Sequence, residues 1–179
     1  PDVYLTLTLR GDAERRKYLR LQLTGYGGTI HGGLAIDTVL SWMPRFVVDF
    51  GCGRNDFIRE LRRRGVDGLG IDFANDEADV TAAMHAVPLA SGLADVVTSF
   101  DALEHLLPED VDLALGEMRR VGRAGGRFIF SICTRPSRIT VDGENLHPTV
   151  RPVDWWLERI ARVGQVESIN HYIAGIFHA

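Results

Sequence analysis

The sequence predicts an α/β fold in which a doubly wound, mainly parallel sheet carries helices on both faces. Short apolar runs alternate with amphipathic helical segments from Phe46 to the C-terminal tail, and this alternation is typical of β–α–β units. The first run leads into two close glycines, Gly51 and Gly53, and the second run ends at Asp72. Because ligands bind at the carboxyl ends of the strands in such sheets, these residues mark the predicted site.

Length and composition indicate one globular domain over residues 1–179. The chain is 45% hydrophobic and 25% charged, as ordinary soluble proteins are. Its net charge of −4 gives no overall attraction to nucleic acid, and no apolar run approaches the ~20 residues of a membrane-spanning helix. Cys52 and Cys133 are far apart and lack metal-ligand spacing, so we expect buried, reduced thiols and a cytoplasmic protein.

The N-terminal flank, residues 1–44, has the least definite pattern. Residues 3–9 alternate like a strand, whereas residues 13–23 fit a helix. The glycine-rich stretch 24–33, around Tyr26 and His31, predicts a loop that either caps the methionine end of the cofactor or is an ordinary connector. Residues 34–43 then predict a short amphipathic helix that stops at Pro44.

From there the apolar runs predict seven strands, at residues 46–50, 68–71, 79–81, 94–100, 127–133, 166–171 and 175–177. The helical patterns between them predict helices at 55–64, from Pro108 onward, and at 153–162. Gly125 and Gly126 predict a turn into the fifth strand. The loop of about 18 residues that follows this strand is long enough to suggest a lid or a binding role.

The turn from Gly51 to Gly53 lies between two acids, Asp49 and Asp72. Its glycines let the backbone turn sharply and approach a ligand closely. A dinucleotide site needs a third glycine three residues after the second, but Asp56 stands there, and its carboxylate would repel a pyrophosphate. Asp49 suits a cationic amine and Asp72 suits a ribose diol. The pattern therefore favours S-adenosylmethionine, which carries both groups and no phosphate.

The sequence resembles the class I S-adenosylmethionine-dependent methyltransferases of type 11 over roughly residues 47–132. The stretch VVDFGCGRNDFIRELRRRGVDGLGID resembles their first glycine motif and the acidic motif after it. DVTAAMHAVPLASGLADVVTSFDALEHL resembles their adenine-binding segment, fourth strand and LEHL turn, and EMRRVGRAGGRFIFSI resembles their next helix and strand. The resemblance implies a Rossmann-like sheet whose last two strands form an antiparallel edge. It also implies a cofactor-binding core at 45–135 and a substrate side at 136–179.

The resemblance also implies the cofactor contacts of individual residues. Asp49 and the backbone of the glycine turn are expected to hold the methionine end, and Asp72 the ribose. Ala83 stands where the family often has an adenine-binding acid, so backbone groups and Met84 or Phe73 are expected to hold adenine. The full expected set is His31, Asp49, Gly51, Cys52, Gly53, Asp72, Phe73, Ala83, Met84, Phe100, Asp101 and Ala102. Only six residues separate Asp72 from Asp79, so the family's helix between strands two and three is expected to be absent or reduced to a turn.

His147 and Asp101 are the candidate catalytic residues. Methyl transfer is an in-line displacement, and it needs a general base only when the acceptor must lose a proton. His147 lies after the fifth strand, where it could act as that base or pack equally well on the following helix. Asp101 follows the fourth strand and is expected to point into the pocket. Glu104 and His105 belong to a turn that mostly supports the pocket in the family, and no cluster has metal-ligand spacing, so no metal is expected.

The acceptor is expected to be a small molecule or a sugar, because the chain has no separate domain to grip a macromolecule. A nucleic-acid methyltransferase is the first alternative. Enzymes that methylate base amino groups usually carry an [DNS]PP[YFW] motif after the fourth strand, where this chain reads FDALEH, so RNA or ribose targets stay open and base amines are disfavoured. The second alternative is an inactive partner protein that binds the cofactor without turnover.

Overall fold

The computed structural model describes residues 15–21 and 31–179. The helices are α1 (residues 15–21), α2 (Ile36–Ser41), α3 (Asp56–Arg63), α4 (Pro108–Val121) and α5 (Val153–Ile160). The strands are β1 (Phe46–Phe50), β2 (Asp67–Asp72), β3 (Val80–Thr81), β4 (Ala94–Phe100), β5 (Gly122–Ser131), β6 (Thr140–Val141), β7 (Glu144–Asn145), β8 (Gly164–Ile169) and β9 (Ile173–Phe177). Short 3-10 helices cover Gly33–Ala35 and Leu103–His105.

Seven strands form one sheet in the order β3-β2-β1-β4-β5-β9-β8. Neighbours from β3 to β5 pair in parallel, whereas β9 pairs antiparallel with both β5 and β8. This arrangement confirms the predicted doubly wound, mainly parallel sheet and its antiparallel edge of two C-terminal strands. Since the strand order reverses between β1 and β4, the carboxyl ends of these two strands border a crevice.

Helices cover both faces of the sheet, so its central strands are apolar along their length. Val47, Val48 and Phe50 of β1 have no exposed surface, as expected for a parallel strand between two helical layers. One face packs against α4 and α5, through side chains such as Leu115 and Trp156. The other face packs against α2 and α3. This packing fixes the positions at which the loops leave the strands.

The fifth strand begins earlier than predicted, before Gly125 and Gly126. Strand β5 begins at Gly122, directly after α4, and contains both glycines. Ala94 of β4 pairs with Gly122, whereas Val96, only two residues further along β4, pairs with Arg127. The extra residues of β5, which include both glycines, therefore form a bulge within the strand. Gly125 has φ 66°, which a residue with a side chain adopts only at a cost.

The long loop after β5 contains a small hairpin, β6–β7, that was not predicted. Asp142 and Gly143 form its two-residue turn, and their φ values are 53° and 83°. Two consecutive positive φ angles are what a type I′ turn requires, and Asp-Gly is one of its preferred sequences. The Asp-Gly pair was therefore the local signal for this hairpin.

Other predictions are confirmed or lie outside the described residues. No helix occurs among residues 73–79, between β2 and β3, as predicted. Residues 15–21 are helical, while the strand-like residues 3–9 and the loop residue Tyr26 lie outside the described ranges. Cys52 and Cys133 are free but only partly buried, which corrects the expectation of buried thiols. Within the described ranges, no helix is long and apolar enough to cross a membrane.

Candidate functional site

A cavity of about 1940 Å³ opens at the carboxyl ends of the central strands. It lies where the strand order reverses, the position at which doubly wound sheets bind ligands. Every residue that the sequence analysis expected at the site lines this cavity: His31, Asp49, Gly51, Cys52, Gly53, Asp72, Phe73, Ala83, Met84, Phe100, Asp101, Ala102 and His147. The fold therefore brings together residues that are up to 116 positions apart, from His31 to His147.

The glycine turn is anchored to the neighbouring strand. The backbone N–H groups of Gly51 and Cys52 donate hydrogen bonds of 2.8 and 2.9 Å to the carbonyl oxygen of Ile71 in β2. Gly51 has φ 75°, and a Cβ atom there would lie 2.5 Å from the Cβ atom of Ala102. Only glycine fits this position, since any side chain would add both backbone strain and a steric clash.

Asp49 is a buried carboxylate with a neutral partner. Its side chain is 3% exposed, and the register of β1 and β4 places Thr98 opposite it. The Thr98 hydroxyl donates a 2.6 Å hydrogen bond to Oδ1 of Asp49. Burial raises the pKa of Asp49 to about 7, because the charged form has lost its hydration. No salt bridge within residues 15–21 and 31–179 compensates this charge, so a cationic ligand group would do so.

Asp72 ends β2 on the other side of the glycine turn. Its Oδ1 accepts backbone hydrogen bonds from Ala74 at 2.8 Å and Asn75 at 3.0 Å, and its Oδ2 accepts one from Gly53 at 3.1 Å. Burial raises the pKa of Asp72, and these three bonds oppose that rise. Each carboxylate oxygen has about two acceptor sites. Oδ2, with one bond, therefore retains capacity for a ligand hydroxyl.

Asn55 and Asp79 form a hydrogen-bond network beside the glycine turn, and neither role was predicted from the sequence. Asn55 precedes α3 with φ 62° and is buried. Its Nδ2 donates a 2.9 Å hydrogen bond to Oδ2 of Asp79, which also accepts from the Gly70 backbone and from Arg62, each at 2.9 Å. These bonds lower the pKa of Asp79 despite partial burial. The network ties the start of α3 to β2 and β3.

His31 and Asp101 meet at the wall of the cavity. His31 Nδ1 lies 3.3 Å from Oδ2 of Asp101, and the Ser131 hydroxyl donates a 3.1 Å bond to Oδ1 of Asp101. The hydrogen bond to Asp101 raises the pKa of His31, and the same bond lowers the pKa of Asp101. Asp101 has φ 49°, a left-handed conformation that turns its side chain away from the strand direction. Ser131 was not predicted, because its position opposite Asp101 depends on the pairing of β4 with β5.

Glu104, His105 and His147 form a second polar group in the same cavity. Glu104 has no exposed surface, and burial raises its pKa to about 8. Burial, together with the nearby His147, lowers the pKa of His105 to about 4. The two imidazole rings meet edge to face, with centroids 4.7 Å apart. The structure thus brings His147 to the turn that the sequence analysis treated as a mainly structural support.

Apolar side chains complete the walls. Phe100 packs between Phe57, with centroids 4.8 Å apart, and Tyr172, with centroids 5.7 Å apart. At the opposite end, Phe73 meets the Tyr18 ring of α1 edge to face at 5.5 Å. Tyr172 comes from the turn between β8 and β9, and no local sequence signal connected it with the site.

These features fit a ligand that carries a cationic amine, a ribose and a flat apolar base. The buried Asp49 offers a charge that lacks a cationic partner among the described residues, and Asp72 offers an acceptor oxygen. Gly51 gives the close backbone approach, and Phe73 with Met84 gives an apolar surface. A pyrophosphate does not fit, since Asp56 stands at the start of α3 where a dinucleotide site has glycine.

A family model described as a methyltransferase domain matches residues 48–130. Residues 48–130 therefore form a methyltransferase domain of the class I, S-adenosylmethionine-dependent kind. The chain is an enzyme of the methyl-transferring class, and S-adenosylmethionine is its methyl donor. The match covers β1 to β5 almost entirely, which are the strands that border the cavity.

Solved structures support the fold of this methyltransferase. The Burkholderia thailandensis 1,6-didemethyltoxoflavin-N1-methyltransferase aligns with a TM-score of 0.68, 13% identity, 98% of this chain and 90% of that chain. A chain of the Haloferax volcanii complex between the Trm112 methyltransferase activator and a methyltransferase aligns with a TM-score of 0.59 and 16% identity. This alignment covers 75% of the present chain and 83% of that chain. Haemonchus contortus phosphoethanolamine N-methyltransferase 2 aligns with a TM-score of 0.54 and 12% identity. This alignment covers 66% of the present chain and 32% of that chain. No protein of curated function matches the sequence significantly.

Proposed function

We propose that this methyltransferase transfers the methyl group of S-adenosylmethionine to a small-molecule or sugar acceptor that binds in the same cavity. The size of the cavity carries the proposal. At about 1940 Å³ it exceeds the ~300–1,000 Å³ of ordinary small-molecule sites, so the donor and a small acceptor fit side by side. The net charge of −4 gives no overall attraction to a polyanionic acceptor.

The donor occupies the end of the cavity formed by β1 and β2 in this proposal. Asp49 binds the ammonium group of the methionine moiety, and Asp72 accepts a hydrogen bond from the ribose. The backbone from Gly51 to Gly53 allows close approach, while Phe73 and Met84 pack on adenine. The buried charge of Asp49, with its neutral hydroxyl partner, is the main support for this orientation.

The donor supplies an electrophilic methyl group on a sulfonium centre, and the chain positions the acceptor in line with it. For an acceptor that must lose a proton, we propose His31 as the general base and Asp101 as the group that orients it. Nδ1 of His31 faces a carboxylate, which leaves Nε2 as the basic nitrogen and raises its basicity. His147 was the base predicted from the sequence, but its Nδ1 lies 2.8 Å from a backbone carbonyl, that of Arg135, and not beside a carboxylate of the described residues. A carbonyl supports a developing imidazolium less than a carboxylate does.

Two relatives are consistent with a small acceptor. The Burkholderia thailandensis structure holds 1,6-didemethyltoxoflavin with S-adenosylhomocysteine, and the Haemonchus contortus structure holds phosphomonomethylethanolamine with S-adenosylhomocysteine. Both acceptors are small molecules that belong to those proteins. They support the acceptor class here without identifying the compound.

Two measurements test the proposal. Calorimetry should show S-adenosylhomocysteine binding that Asp72→Ala weakens markedly; tight NADH binding in its place would overturn the donor assignment. A screen of small-molecule, sugar and RNA acceptors with methyl-labelled donor should then show turnover on a small molecule. Transfer to RNA alone would support the nucleic-acid alternative, and binding without any turnover would support an inactive partner protein.

A further inference from the structure

Glu104, His105 and His147 each offer one possible metal-ligand atom, and these three atoms lie within 4.8 Å of one another. The first two residues belong to the 3-10 helix after β4, and His147 follows the hairpin β6–β7. We propose that these three side chains bind a divalent transition-metal ion, and that the ion holds a hydroxyl group of the acceptor. The metal site stands on its own geometry, while the assignment of a hydroxylated acceptor rests on the proposed function.

Glu104 provides the strongest observation. Its side chain is 0% exposed. Oε1 accepts a 3.0 Å hydrogen bond from the backbone N–H of Cys133, whereas Oε2 has no hydrogen-bond partner within residues 15–21 and 31–179. A buried carboxylate oxygen without a partner is costly, so native sites that keep one usually supply an ion or a donor. The orphaned oxygen belongs to the same cluster as two imidazole rings.

Nδ1 of each histidine lies close to a backbone carbonyl. Nδ1 of His105 lies 3.0 Å from the carbonyl oxygen of Leu146 and 2.9 Å from the Tyr18 hydroxyl. Nδ1 of His147 lies 2.8 Å from the carbonyl oxygen of Arg135. A carbonyl can only accept, so Nδ1 of His147 carries the proton and its Nε2 carries the lone pair. Metal-binding histidines are usually held by this kind of hydrogen bond from the other ring nitrogen. The His147 backbone N–H also donates to Oδ1 of Asn145 at 3.0 Å, which holds the segment in place.

The donor set selects the kind of ion. Two imidazole nitrogens and one carboxylate oxygen suit zinc and other first-row transition metals better than calcium or magnesium, which prefer all-oxygen sites. Metal–ligand distances of about 2.1 Å place ligand atoms roughly 3.4 Å apart in a tetrahedral site. The present maximum of 4.8 Å therefore requires small side-chain movements on binding. Three protein ligands leave coordination positions open for an acceptor, as in catalytic metal sites.

Asp101 connects this cluster with the donor end of the cavity. Oδ2 of Asp101 lies 3.3 Å from Nδ1 of the proposed base, His31, and Asp101 stands three residues before the proposed metal ligand Glu104. A hydroxyl group bound to a divalent ion is more acidic than a free one. Its proton passes to Nε2 of His31, and its oxygen forms a bond to the methyl carbon. The carbon–sulfur bond breaks, and its electron pair stays on sulfur, which gives a methyl ether and neutral S-adenosylhomocysteine.

Metal binding is tested directly on the full chain after removal of bound metal with a chelator. Zn²⁺ calorimetry and a Co²⁺ titration followed by visible absorption should both show one site. Glu104→Gln and His147→Gln should each weaken Zn²⁺ binding by more than the ~10- to 100-fold that loss of an outer-shell partner costs. His178→Gln is the matched control, because His178 is exposed and does not line the cavity. It should leave Zn²⁺ affinity unchanged.

S-adenosylhomocysteine affinity, measured in the same variants, reports whether each remains folded. His147 is only partly buried, so its variant keeps the test decisive if Glu104→Gln fails to fold. Absence of a Zn²⁺ site in the wild type, or equal Zn²⁺ affinity in the wild type and a folded His147→Gln, overturns the metal site. Loss of S-adenosylhomocysteine binding in the wild type would overturn the donor orientation instead. Turnover on sugars with neighbouring hydroxyl groups should stop when a chelator is added and return when Mn²⁺ or Zn²⁺ is supplied. Turnover that the chelator leaves unchanged would overturn the acceptor assignment.

Discussion

Replacing Asp49 with asparagine should change stability and cofactor affinity in opposite directions. The carboxyl is 3% exposed, and burial raises its pKa from 3.8 to about 7. The native state therefore binds this proton more tightly than the unfolded state does. As the pH rises from 3.8 through about 7, the unfolding free energy of the ligand-free protein falls, since ionisation becomes possible only at a cost in the native state. Above about pH 7 the native state bears the full free-energy cost of the ionised, buried Asp49.

The magnitude follows from the pKa difference. One pKa unit corresponds to about 1.4 kcal/mol, so Asp49 should cost the wild type about 3 kcal/mol more at pH 8.5 than at pH 5. The side-chain amide of the variant Asp49→Asn resembles the neutral acid and carries no such cost. In urea unfolding of the ligand-free proteins, the unfolding free energy of the variant relative to that of the wild type should therefore increase as the pH rises. A constant stability difference between these pH values would refute the reasoning.

Ligand binding should respond in the opposite sense. In the proposed orientation only ionised Asp49 pairs with the ammonium group of S-adenosylhomocysteine. With a pKa near 7, wild-type affinity should be about tenfold weaker at pH 6 than at pH 8. Asp49→Asn should weaken binding at pH 8 by about 10- to 100-fold, because a hydrogen bond to a charged group contributes roughly 1.5–3 kcal/mol. Calorimetry in buffers of different ionisation enthalpy should detect proton release in the wild type alone. Proton release of equal size in both proteins would contradict the assignment of Asp49.

Gly51→Ala should destabilise the fold by about 1–3 kcal/mol and weaken S-adenosylhomocysteine binding, because its Cβ atom would lie 2.5 Å from a neighbouring side-chain carbon at a positive φ. Gly53→Ala, where φ is positive but the space is open, should cost only about 1 kcal/mol, and equal effects would refute the steric part. Asp79→Ala should lower the unfolding free energy by about 1–3 kcal/mol through loss of three hydrogen bonds, whereas the exposed Asp76→Ala should change it by less than about 0.5 kcal/mol in urea unfolding. His31→Gln should lower kcat by about 10²- to 10⁴-fold and leave S-adenosylhomocysteine affinity nearly unchanged; a parallel loss of affinity would indicate a binding role.

The residues proposed to bind the donor could be identified from the sequence because their signals are local. Asp49 and the glycine turn are separated from Asp72 by one helix, and the missing glycine at Asp56 distinguishes the motif from a dinucleotide site. The strands before and after this turn are apolar on both faces, so their burial and their parallel pairing follow from composition. Asp101 was predicted in the same way, since it directly follows the strand at the reversal of strand order.

Contacts between strands could not be predicted from local pattern. Thr98 reaches Asp49, and Ser131 reaches Asp101, only because β4 lies between β1 and β5 in a defined register. The early start of β5, at Gly122, was missed for a related reason. Whether a glycine ends a strand or lies in a bulge depends on the partner strand, and the partner is set by the sheet order.

The sequence by itself determined the sheet, the methyl donor and the residues proposed to bind it, because periodicity and short motifs express local backbone requirements. The tertiary structure alone decided which distant polar side chains share the acceptor end of the cavity. His147 lies far along the chain from Glu104 and His105, and the loop and hairpin after β5 return it to the turn after β4. The spacing of these residues in the sequence does not predict this contact, because it depends on how the whole segment packs against the end of the sheet.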